Sequence, residues 1–185
     1  FNVGSGDREL FAYNTSGSLN ADFDDGDDMI LLEMTLGDVI ISSGAGTHNC
    51  TFLTTDGNID ATVGGAAQAN HLFTLADTDG AVTINAAAGD RIINANQTVG
   101  SITANLGDGD DTISLENTQG FAKITSGEGS HDNTFVDTAG VIEITVGSGT
   151  SHSFILSRTE GSVDINAGNG DHVISAIETD GNLAA

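Results

Sequence analysis

Hydrophobic and polar residues alternate one by one along short stretches of this 185-residue chain, and the stretches recur about every 20 residues. Apolar pairs such as Ile30/Leu32, Cys50/Phe52, Phe73/Leu75, Ile113/Leu115 and Phe154/Leu156 stand seven and five residues ahead of a glycine. A second set, including Val39/Ile41, Val82/Ile84, Ile102/Ala104, Ile142/Ile144 and Val163/Ile165, follows the same glycine by two and four residues. Alternation with period two predicts strands, with the apolar row turned to a core and the Ser, Thr, Asn, Asp and Glu between them turned to water. Asn133 is the polar intruder in the inward row, where the local register is open.

The glycines that punctuate the pattern are Gly17, Gly37, Gly57, Gly80, Gly100, Gly120, Gly140, Gly161 and Gly181. Their spacing is 20 apart from one step of 23 and one of 21. A second series runs Gly6, Gly26, Gly46, Ala66, Gly89, Gly109, Gly129, Gly149 and Gly170, each 11 ahead of its partner except in the two coils that carry the extra residues. The insertions are thus expected between Ala66 and Gly80 and between Gly149 and Gly161. A fixed period of this length is the signature of a stacked repeat. The fold expected is all-β: a parallel β-solenoid (β-roll or β-helix) of about nine 20-residue coils with two strands per coil. Coils rise about 4.8 Å each, so nine span roughly 40 Å. Proline would remove a ladder donor from any strand it entered, and the chain has none. Residues 1–185 read as a single array, expected to be a segment or processed product of a longer protein, since Phe1 is neither an initiator Met nor the start of a signal peptide.

Two columns carry polar residues of interest. Two residues ahead of each punctuating glycine stands a threonine: Thr15, Thr35, Thr55, Thr78, Thr98, Thr118, Thr138, Thr159 and Thr179. Such a ladder is expected to satisfy turn groups and neighbouring hydroxyls. The alternative is a flat hydroxyl array that resembles the faces of ice-binding solenoids, although Ile40, Lys123, Glu143 and Asp164 roughen the obvious second column. Nine residues ahead of the glycine the chain reads Arg8, Asp28, His48, His71, Arg91, Asp111, His131, His152 and His172, which contains all five histidines. A partly exposed ring stack along one edge is the expectation. The consecutive His131, His152 and His172 are also candidate ligands for a transition metal or a proton-sensitive ladder.

Charge narrows the function classes. Asp and Glu number 27 against 4 Lys and Arg, for a net charge of −23. No basic patch can neutralise nucleic-acid phosphates, and an anionic membrane would repel the chain. No apolar run reaches the roughly 18 residues of a membrane-spanning helix. Cys50 is the single cysteine, so no intrachain disulfide forms.

The stretch Leu106-Gly107-Asp108-Gly109-Asp110-Asp111-Thr112-Ile113 resembles the calcium-binding nonapeptide of RTX repeat proteins, and Asp24-Asp25-Gly26-Asp27-Asp28 is a partial version. That resemblance implies a β-roll whose glycine-rich turns hold calcium, in a protein exported from a bacterial cell. Candidate calcium ligands are Asp108, Asp110 and Asp111, with Asp25, Asp27 and Asp28. The unit here is 20 residues rather than about nine, and the motif aspartate survives only at Asp28 and Asp111.

No nucleophile–base pair and no phosphate-cradling loop is recognisable, so the chain reads as no enzyme. The expectation is a structural segment of a secreted or cell-surface protein: a stalk, sheath, surface layer or matrix filament. It would self-associate through open solenoid ends or flanking repeats, because both ends fall at the same phase of the repeat without a polar cap. Alternatives are a calcium-binding RTX-like adhesin or secretion module, and an ice- or carbohydrate-binding solenoid with a surface polysaccharide as partner. Outward apolar residues cluster at Phe11, Tyr13, Met29, Leu31 and Leu36, a candidate patch for lateral packing.

Overall fold

The computed structural model describes residues 2–65 and 69–185. Among them there is no helix, and hence none long and apolar enough to cross a membrane. The strands Leu19–Phe23, Val39–Ser43, Ile59–Val63, Val82–Ala86, Ile102–Leu106, Ala122–Ser126, Ile142–Val146 and Val163–Ala167, with Asn2–Val3 and Leu183–Ala184 at the two ends, make one ten-stranded sheet. Longer strands make a nine-stranded second sheet: Arg8–Thr15, Asp28–Thr35, His48–Thr55, Asn70–Thr78, Asp90–Asn96, Asp111–Glu116, His131–Val136, Ser151–Ser157 and Asp171–Ile177. The chain crosses from one sheet to the other at every turn, and every ladder joins a strand to its equivalent in the adjacent coil, in parallel. This is the expected two-sheet β-solenoid of about nine coils.

Register follows the repeat. Val39 pairs with Ile59 and Ile102 with Ala122, whereas Ile59 pairs with Val82 and Ile142 with Val163, so the sheets absorb both insertions without losing phase. The one-residue insertion lies where expected, because His152 pairs with His131, an offset of 21, while Gly149 still lies over Gly129, an offset of 20. The three-residue insertion is a correction. Asn70 pairs with Asp90, which puts Ala69 level with Gly89, while Val63 keeps its 20-residue register with Ser43. The extra residues therefore precede the turn position, between Val63 and Ala69, and Ala66 itself lies outside the described residues.

The core is a thin double row. Ile30, Leu32, Phe52, Phe73, Leu75, Ile93, Phe135, Phe154 and Leu156 meet Val39, Ile41, Ile59, Ile84, Ile124, Ile142 and Ile144 from the opposite sheet, all nearly inaccessible. Asn133 keeps register between Ile113 and Phe154 and is buried. The lateral patch is exposed at Phe11, Tyr13, Met29 and Leu36, with Leu31 half-buried; Val173 and Ile177 form a similar exposure on the last long strand.

One backbone device recurs in every coil. The residue just before each ladder threonine adopts left-handed φ of 51–56°, and none of the nine is glycine: Asn14, Met34, Thr54, Asp77, Gln97, Asn117, Asp137, Arg158 and Glu178. A left-handed residue breaks the two-residue alternation. The threonine consequently faces inward three residues after the last inward apolar side chain, so Leu32 and Thr35 are both buried. At the other turn, Gly109 has φ of 142°, and a Cβ there would collide with the carbonyl of Gly89 one coil below. Close backbone stacking of successive coils fixes glycine at that position.

Candidate functional site: a buried charged column

The column of Arg, Asp and His lies inside the solenoid. Alternation inward at Ile30 and Leu32 extends two residues back to Asp28, and likewise in each coil. Asp28, His48, His71, Arg91, Asp111, His131 and His152 are all buried, Arg8 is half-buried and His172 is exposed on the last described long strand. The expected partly exposed edge stack is therefore overturned for the middle of the column, where Asp28 and Asp111 are buried with the rings. The threonine ladder is likewise buried from Thr35 to Thr159, so it presents no surface hydroxyl array; Thr78 donates to Thr98 at 3.0 Å.

Burying charge is tolerable only when it is paired and hydrogen-bonded. Arg91 Nε lies 2.8 Å from Asp111 Oδ1, and its Nη2 donates to Asp111 Oδ2 at 3.1 Å. The remaining guanidinium donors reach the carbonyls of Ala87 at 2.9 Å and Asp108 at 3.0 Å, and those of Gly89 and Gly107. One side chain thus ties the turns of two coils together.

On its other side Asp111 faces His131, with Nδ1 to Oδ2 at 3.3 Å. His131 Nε2 donates to the Gly127 carbonyl at 3.0 Å, which fixes that nitrogen as N–H, since a carbonyl only accepts. Asp28 and His48 repeat the arrangement: Nδ1 to Oδ2 is 3.2 Å, and Nε2 donates to Gly44 at 2.9 Å. Burial raises the pKa of Asp28, against the opposing pull of His48 and Arg8.

Beyond each Asp–His pair the next ring stacks. His48 and His71 lie 5.2 Å apart and nearly parallel, as do His131 and His152 at 5.2 Å and His152 and His172 at 5.1 Å. The order Arg, Asp, His, His therefore occurs twice, displaced by 83 residues at its first three members (8 to 91, 28 to 111, 48 to 131) and by 81 at the fourth (71 to 152). The turn hydrogen bonds carry the same displacement. Asp7 accepts from the Asp27 amide and Asp90 from that of Asp110; Asp25 accepts from Ala45 and Asp108 from Glu128; Asp27 accepts from Thr47 and Asp110 from Ser130. Four coils form a higher-order unit that is present twice.

This arrangement places every metal-candidate residue. Asp25, Asp27, Asp108 and Asp110 stay in the exposed turns, where each caps an amide of the next coil at 2.7–2.8 Å. Asp28 and Asp111 point inward to histidine, away from those turns. His131, His152 and His172 are brought together, but face to face. A zinc ion with bonds of about 2.0–2.1 Å spans roughly 4 Å between two nitrogens, less than the separation of these rings. Among the described residues no group of three or more His, Cys, Asp or Glu is arranged around a point that could hold a metal ion.

The alternation itself could have revealed that the column faces inward, because it stands two residues before an established inward position. No family model, curated protein or solved structure matches the chain.

Proposed function

We propose that this chain is a rigid structural segment of a secreted or cell-surface protein, a stalk, sheath, surface layer or matrix filament, lengthened by stacking coil upon coil. The observation that supports this reading is the uninterrupted parallel register of both sheets through all the coils, with insertions no longer than three residues. A stack of this kind adds length without adding new folds, and each coil is held by its neighbours. Electron microscopy of the native protein tests it. Rods whose length grows by about 4.8 Å per 20-residue coil are expected, and compact particles would overturn the reading.

A second reading, a calcium-responsive RTX-like adhesin or secretion module, is favoured by the acidic turns around Gly26 and Gly109, where paired aspartates crowd one edge. The capping amides already tie those turns together, so the expected outcome is a melting curve unchanged between calcium and chelator. A shift of many degrees on adding calcium would favour the RTX-like reading instead.

A further inference from the structure

His71 occupies a position unlike that of any other histidine in the column. Its ring is stacked on His48, which is engaged with Asp28, and the next residue along the column is Arg91, a permanent cation. Neither ring nitrogen of His71 has a hydrogen-bond partner among the described residues, although the side chain is buried. His152, its counterpart in the second four-coil unit, is followed by His172 rather than by arginine.

We propose that His71 is an acid-sensitive latch: the stack closes around a neutral ring, and proton uptake there opens the solenoid between the coils that carry His48 and Arg91. A proton on His71 would set up to three cations in consecutive coils of a buried column. The two carboxylates that could offset them lie one coil further out and are engaged, Asp28 with His48 and Asp111 with Arg91 and His131. From the opposite sheet, the inward residues closing the neighbouring strands are Val63 and Ala86, which carry no charge. Asp90 and Asp110 lie on the outside, lining a groove of about 510 Å³ that also reaches His48 and His71 and gives protons a short path inward.

The electrostatics point the same way. Burial, then His48, then Arg91 lower the pKa of His71 from 6.5 to about 4. The unfolded chain therefore binds this proton first as pH falls. The contribution to stability is whole above pH 6.5 and is lost progressively between about pH 6.5 and 4. For those two values the opening equilibrium rises about 30-fold from pH 8 to pH 5.

The test uses the full chain. Amide hydrogen exchange in His48–Thr55 and Asn70–Thr78, corrected for the intrinsic rate, is followed from pH 8 to pH 5 for the wild type and for His71→Phe, whose ring stacks but takes up no proton. The wild-type strands are expected to open about 30-fold more often at the lower pH, and the variant to show no such rise. Titration of the His71 ring resonances in the wild type keeps the proposal falsifiable should the variant fail to fold. A His71 ring that titrates near or above pH 6.5, or a variant with the same acid opening, would overturn it.

Discussion

Each coil buries one polar column at either edge of its core, and the two are built in opposite ways. At one edge the side chain is threonine in every coil, buried from Thr35 to Thr159, and among the described residues only Thr78 and Thr98 of this column join by a hydrogen bond between hydroxyls. At the other edge the residues differ from coil to coil, and Arg91, Asp111 and His131 are held by ion contacts and by carbonyls of the turns. A hydroxyl is small enough to be buried beside a methyl at modest cost, whereas a charge demands a partner. The threonine column should therefore tolerate apolar replacement, and the charged column should not.

Arg91→Met breaks the comparison most severely. It leaves Asp111 buried against His131 alone and frees the carbonyls of Ala87 and Asp108. A loss of about 3–5 kcal/mol is expected from removing one partner of a buried pair, read by chemical denaturation. Thr98→Val removes the hydroxyl pair with Thr78 and should cost about 1 kcal/mol. Thr35→Val is expected to stabilise by about 1 kcal/mol, because the Thr35 hydroxyl is buried with no partner among the described residues. A loss at Thr35→Val as large as at Arg91→Met would erase the distinction between the two edges.

The smallest effect sharpens the contrast from the backbone side. Thr54 is β-branched and holds φ of 55°, a conformation costly for any residue with a Cβ. Thr54→Gly should raise the melting temperature slightly, a gain of about 0.5 kcal/mol after the entropy cost of glycine.

The coils, the two strands of each and the apolar rows could be read directly from the alternation, because burial on one face of a strand leaves a period of two. The charged column was visible as a column but not as an interior one, since Arg, Asp and His by type belong to the surface. Only its phase, two residues ahead of Ile30 or Ile113, held the answer. The left-handed residues left no trace at all. Asn14 and Asn117 suit that conformation, but Met34, Thr54 and Arg158 do not, so the geometry is imposed by the stack rather than by the residue. The position of the three-residue insertion was missed because Ala66 and Ala69 are the same residue type, and only ladder pairing tells them apart.

A stack of near-identical layers has almost perfect translational symmetry, and that symmetry is a hazard during folding. A coil that was looped out would leave rows of Ile, Leu, Val and Thr that fit the next coil nearly as well. The charged column lifts this degeneracy where Arg, Asp and His follow one another. Omitting the coil of Asp111 would bring Arg91 against His131, cation toward imidazole, with no carboxylate between them. The order Arg, Asp, His thus works as a set of addresses within each four-coil unit: it tells apart layers that look alike from outside.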